Sequence, residues 1–196
     1  MNGHIERMSY YHWIVEFLPK LRAVEVYDAE TAEEISIILE PDAPDWQVEQ
    51  LALAGIPETR LRWLPETGAT FDRLVYPTHR FRSGHNYNPS TSQLRWVRRR
   101  FRKAIEADDG KRDLRIFLSR GDAQNRRVRN RDELETMLAH YGFECVQLAD
   151  LSEAEGIRLF ANADFVIGPH GAGLANILFS KNLTPFEMFP SDYIDQ

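Results

Sequence analysis

The 196-residue chain contains one cysteine, Cys145. One thiol excludes an internal disulfide framework and any zinc site built on cysteines, and a reducing compartment is the simple reading. Long apolar runs are missing too: no stretch approaches the roughly 20 residues that span a bilayer. The opening, Met1 to Ser9, is polar and lacks the apolar core of a signal peptide. A cytoplasmic protein without a transmembrane segment, at most peripheral to a membrane, is expected. No Gly-x-Gly-x-x-Gly follows an early strand, which argues against a dinucleotide-dependent oxidoreductase. No Asp-x-Asp pair occurs either, so one common way of holding a divalent metal is absent. No metal and no other cofactor is expected.

What is present is a charge imbalance. Arg95 to Arg131 holds 14 Lys/Arg against 5 Asp/Glu, a local +9 in a chain of net charge −6, so the remainder carries −15. Such a segment suits an anionic partner: phosphate, nucleic acid or a lipid surface. The plainer alternative is a solvated helix face paired with acidic neighbours. Nucleic acid is not expected, because the protein is acidic overall and the aromatics available for base stacking there are few: Trp96, Phe101 and Phe117.

Hydrophobic spacing predicts a helix from Tyr10 to Tyr27, kinked or broken at Pro19. A buried strand is expected at Ile35 to Leu39, and a helix at Trp46 to Ala54 capped by Asp45. Short strands are expected at Leu61 to Leu64 and Leu74 to Tyr76. Arg82 to Ser92, rich in Ser, Gly, Asn and Pro, is the candidate linker, and Gln93 to Ala107 a basic helix ended by Asp108-Asp109-Gly110. The rhythm then becomes regular. Strands at Leu114 to Leu118, Phe143 to Leu148, Phe165 to Ile167 and Phe186 to Phe189 alternate with helices at Arg131 to Tyr141, Glu153 to Ala163 and Gly171 to Ser180. Gly142 follows the first of these helices, and Ser152 with Glu155 forms a capping box on the second. Alternation of this kind implies βαβ units and a parallel sheet, about half of a doubly wound domain. Residues 1–90 are expected to form a partial α/β domain and residues 91–196 a Rossmann-like one.

In open parallel sheets ligands bind at the carboxyl ends of the strands. Three features stand there. The segment Ser119 to Asn130 offers Arg120, Arg126, Arg127 and Arg129, whose guanidinium forks grip phosphate oxygens, with Asn130 placed to cap the next helix. The alternative is a flexible solvated loop. Next comes Gly168-Pro169-His170-Gly171-Ala172-Gly173-Leu174, a strand-to-helix turn. Its small residues admit close approach, and its helix start supplies free N–H groups for an anion. His170 sits at the mouth and Asn176 about one turn in, able to offer an amide to a base or ribose; a lone histidine is more often structural. Finally, Glu187 lies in the apolar Pro185-Phe186-Glu187-Met188-Phe189 and needs a partner unless it faces solvent. A ribose diol would supply one. In the opening helix, His12 and Glu16 share one face and could act as base and orienter, with Trp13 packed inward or against a sugar ring.

These residues together resemble family 61 of the glycosyltransferases. The resemblance rests on Tyr11-His12-Trp13-x-x-Glu16-x-x-Pro19, Ser119-Arg120, Arg126-Arg127-Val128-x-Asn130, Gly142-Phe143, Gly168 to Leu174, Phe179 and Glu187. That family includes bacterial proteins of capsular polysaccharide synthesis, eukaryotic O-linked GlcNAc transferases and plant xylosyltransferases. It implies a GT-B-like fold with a nucleotide-sugar donor, often UDP-linked, on the C-terminal half. A saccharide or glycan acceptor would sit on the N-terminal half, with transfer across the cleft and inversion. By position, Arg120, Arg126, Arg127 and Asn130 serve the diphosphate region, His170, Gly171, Ala172 and Gly173 the phosphate-facing turn, and Glu187 the nucleoside. Glu16 is the candidate base and His12 the second. The chain departs from the family in carrying Arg131 where an acidic residue is usual, Gly156 where Gln is common, and in being short. A fragment, or a truncated, non-catalytic module that binds nucleotide or polyanion, is the alternative.

Overall fold

In the computed structural model the described residues are 9–77, 90–105, 114–120 and 128–190. They fall into two compact units. One lies within His12–Ala104; the other joins Ser9–Tyr11 to Ile105–Gln196. Residues 82–89 of the expected linker and residues 106–110, where the basic helix was expected to end, lie outside the described residues.

The chain opens as one helical run of changing pitch: α-helical at Tyr10–His12, π-helical at Trp13–Phe17, 3₁₀ at Leu18–Lys20, then the α-helix α1 at Leu21–Thr31. Pro19 has no N–H to donate, so the α ladder cannot run through it unaltered, and the pitch changes there instead of the helix breaking. Ala32, in the left-handed region at φ 53°, ends the run. Strand β1 (Ile37–Leu39) pairs in parallel with β2 (Leu61–Trp63), Ile37 opposite Leu61. Between them lies α2 (Asp45–Leu53), whose capping position is Pro44. Asp45 is the first helical residue and makes no cap bond, contrary to expectation. Leu74 to Tyr76 also departs from expectation: it joins no ladder, and Leu74 and Tyr76 are exposed. A residue before proline is biased toward extended backbone, but that bias alone makes no strand without a partner edge.

The basic helix α3 (Thr91–Ala104) belongs to this first unit. Trp96, Val97 and Phe101 are buried. Trp96 Nε1 donates to Glu25 at 2.9 Å, and Arg100 pairs with Glu25 and donates to the carbonyl of Ala54. Part of the basic run is thus tied into the packing, whereas Arg95, Arg99 and Lys103 are exposed.

The second unit is a parallel α/β layer. Its strands are β3 (Leu114–Leu118), β4 (Phe143–Val146), β5 (Ala163–Pro169) and β6 (Thr184–Met188), in the spatial order β4-β3-β5-β6. Helix α4 (Arg131–His140) connects β3 to β4 and is followed by Gly142 at φ 76°, the left-handed position that glycine takes without strain. Helix α5 (Glu153–Asn162) begins with the expected capping box, in which Ser152 Oγ accepts from the Glu155 N–H while Glu155 accepts from the Ser152 N–H. Ile116, Leu118, Phe160, Ala163, Val166 and Leu174 form the core between these elements.

The expected helix at Gly171 to Ser180 is present with 3₁₀ pitch, over Ala172–Phe179. The expected final strand is present as β6, mostly exposed, with Phe186 63% accessible. Among the described residues it has one neighbour, β5, which leaves it at the sheet edge.

Candidate functional site

The strand order sets where a ligand can enter. From β3 the chain first moves outward to β4, then crosses back to β5 and on to β6. The crossovers therefore diverge between β3 and β5, and the crevice beyond their carboxyl ends is the topological switch point. Ser119 and Arg120 leave β3 there, and His170 and Gly171 leave β5.

The two strand ends are tied together. Arg120 Nη1 donates to the main-chain carbonyl of His170 at 3.0 Å. The guanidinium lies against Gly171, where an added Cβ would collide with it. At Gly173 an added Cβ would stand 2.8 Å from Leu148 Cδ1. The two glycines of this turn thus leave room for the protein's own Arg120 and Leu148, which the expectation of ligand approach did not include. Beside the turn lies a cavity of about 190 Å³, lined in part by Ser119, Arg120, Pro169, Ala172 and Gly173. Ser119 Oγ is buried and has no hydrogen-bond partner among the described residues. Because the following helix is 3₁₀, its first internal bond is already made at Leu174, which donates to the Gly171 carbonyl at 3.1 Å. Only the N–H groups of Ala172 and Gly173 precede it, fewer than an α-helix would offer.

His170 and Glu187 come together. His170 Nδ1 and Glu187 Oε1 are 2.6 Å apart, and the His170 ring stacks on Phe189 with centroids 5.0 Å apart. The carboxylate expected to need a ribose thus has a protein partner. A family model described as Glycosyltransferase 61 matches residues 10–186. The chain belongs to glycosyltransferase family 61. A search of the curated proteins gives no match. The family-61 match takes in every anticipated site residue except Glu187, which lies one position beyond its end.

The remaining anticipated residues of this family-61 chain divide. Asn176 is buried and its amide is occupied at both ends: Oδ1 accepts from Tyr10 at 3.0 Å, and Nδ2 donates to the Gly173 carbonyl at 3.0 Å. It holds the turn instead of presenting an amide outward. Tyr10, which also donates to Glu153 at 2.9 Å, was missed by the sequence reading. Its signal was only the start of the Tyr-Tyr-His-Trp run. Asn130 occupies the capping position of α4 but makes no cap bond; its amide reaches Glu133 at 3.4 Å. Arg126 and Arg127 lie outside the described residues.

In the first unit, His12 Nδ1 and Glu16 Oε1 are 2.5 Å apart, with Glu16 the more enclosed of the two. Trp13 packs inward: it is buried, and its N–H donates to Gln50 at 3.0 Å. Among the described residues no three His, Cys, Asp or Glu side chains gather as a metal site, and no helix is long and apolar enough to cross a membrane.

Proposed function

We propose that this family-61 glycosyltransferase takes a nucleotide-sugar donor, UDP-linked, at the switch point of the second unit, and transfers the sugar with inversion to a saccharide acceptor. The observation that carries the reading is the cavity at the switch point, lined in part by Ser119, Arg120, Ala172 and Gly173. An arginine and the start of a helix beside one small volume are the chemistry a diphosphate requires. Arg120 is held by the His170 carbonyl before any ligand arrives, so little ordering cost remains to be met on binding. Glu187 engages His170 through Oε1 and keeps Oε2 for a nucleoside hydroxyl.

The departing diphosphate gains charge as the glycosidic bond breaks. Fixed guanidinium and N–H donors stabilise that charge with no resident metal. Arg126 and Arg127 would add to the same field. Inversion needs a base for the acceptor hydroxyl. Glu16, oriented by His12 at 2.5 Å, is the proposed base. The second unit would be the donor half of a GT-B-like enzyme and the first unit its acceptor half. Cytoplasmic synthesis of a capsular or other surface polysaccharide is the setting we favour.

Thermal unfolding of the purified chain with a panel of nucleoside diphosphates tests this, since a ligand that binds only the native state raises stability by mass action. UDP should raise the melting temperature, and Arg120→Ala should abolish the rise. Turnover of a UDP-sugar, lost in Glu16→Gln, would add the transfer step. A cooperative melt that no nucleotide shifts would sink the donor site. Binding without any turnover would leave a nucleotide-binding module in place of an active transferase.

A further inference from the structure

A cavity lined only by residues of the first unit plays no part in the donor site. It measures about 600 Å³. That lies within the usual range for small-molecule sites. At water's ~30 Å³ per molecule it holds roughly 20 such volumes. Its floor is buried aliphatic and aromatic surface: Trp13, Leu18, Leu21, Val24, Leu39 and Leu51. Its outer wall is the extended segment 71–77, where Phe71 is 47%, Leu74 61% and Tyr76 68% exposed. Three large apolar side chains in water on one short strip mark a surface that something apolar covers.

One cation in the lining, Lys20, has neither an ion pair nor a hydrogen bond to oxygen among the described residues. Arg73 is paired with Glu33, and Arg62 is occupied by the carbonyls of Thr59 and Leu61. Lys20 makes no ion pair among the described residues. Its ammonium sits over the rings of Phe17 and Tyr76, 4.0 and 5.2 Å from their centroids. Glu16, the nearest acid acting on it, is engaged with His12. Burial holds the Lys20 pKa below its ordinary value, with Glu16 opposing that shift; a charge kept in that setting is favoured by an anion placed against it.

We infer that this cavity binds a lipid phosphate: an apolar chain on the Leu18–Leu21–Leu39 floor under the Phe71–Tyr76 strip, with its anionic head on Lys20. A free saccharide fits poorly, because its hydroxyls would face a lining with few hydrogen-bonding side chains. A neutral lipid would leave Lys20 without an anion. An amphiphile with one anionic end satisfies both features, and the charge complementarity selects it.

The probe is decyl phosphate, used below the concentration at which it self-associates, with decanol and inorganic phosphate as controls on the full chain. Binding is read by thermal unfolding and by tryptophan fluorescence. Decyl phosphate should raise the melting temperature, inorganic phosphate should not, and decanol should bind about tenfold more weakly, the scale of one charge-assisted hydrogen bond. Lys20→Gln should collapse the preference for phosphate over alcohol, while Lys20→Arg keeps it. Leu74→Ser, at an exposed position that folding does not depend on, should weaken both amphiphiles equally. The response to UDP should be unchanged in all three variants, which separates this site from the donor site. Equal affinity for decyl phosphate and decanol, an unaltered preference in Lys20→Gln, or no binding of either would overturn the inference.

Discussion

The imidazole of His170 and the carboxylate of Glu187 meet at 2.6 Å because β5 and β6 pair in register, with Gly168 opposite Glu187 and the His170 N–H bonded to the Met188 carbonyl. The edge strand thereby fixes which ring nitrogen meets the carboxylate. Glu187→Ala should weaken UDP binding about tenfold, the scale of losing a charge-assisted contact. The ligand-free melting temperature should barely move, since half-exposed ion pairs contribute little. Titration by calorimetry checks both, and an unchanged UDP affinity would remove Glu187 from the site.

Arg120 depends on a glycine. A methyl group at residue 171 would occupy the space of its guanidinium. The long side chain can swing away, so Gly171→Ala should fold and melt nearly as the parent does. Its response to UDP should fall as far as that of Arg120→Ala, and the double variant should lose nothing more. Additive losses in that cycle would show that the two positions act independently.

Gly156 gives the opposite expectation. It is a buried residue in the middle of α5, and an added Cβ meets nothing within 4 Å. Alanine there removes backbone freedom from the unfolded chain without strain, so Gly156→Ala should stabilise the protein by about 0.5–1 kcal/mol. Chemical denaturation measures this. A destabilised variant would mean that the open space beside the helix, lined also by Tyr10 and Asn176, is needed empty or wet.

Cys145 provides a pH test. The thiol is exposed, yet its pKa is pushed above the ordinary value. Partial desolvation acts first, then the hydrogen bond it donates to Glu135 at 3.2 Å. Both favour the protonated form, so the thiolate fraction at any pH near 8 is reduced and alkylation is slow. Glu135→Ala should speed alkylation at pH 8 several-fold and move the midpoint of the rate–pH curve downward. A rate equal to that of the parent would rule out Glu135 as a cause.

Much of this architecture was legible in the sequence, and the exceptions share a cause. Period and capping set the βαβ rhythm from Leu114 onward, because the strands are rich in apolar residues, Gly142 follows α4 and Ser152 caps α5. The Arg120–His170 neighbourhood followed from strand-end logic alone. Pitch was not legible: nothing in Ala172 to Phe179 distinguishes 3₁₀ from α, since both place apolar residues at i and i+3. Partners were not legible either. Asn176 looked like a free amide because Tyr10, 166 positions earlier, supplies its bond. Glu187 looked unsatisfied because its histidine is 17 positions away across a strand pair. Local pattern finds elements, whereas polar pairing is decided by tertiary contact.

The 3₁₀ form of Ala172–Phe179 limits what the chain between β5 and β6 can absorb. Eight residues at about 2.0 Å rise reach about 16 Å, where an α-helix of the same length would reach about 12 Å. The segment behaves as a taut strap stretched over its span, with no slack to give up. Removing one residue from it would drag Glu187 out of register with His170, whereas adding one would let the strap relax toward α and uncover further N–H groups at its start.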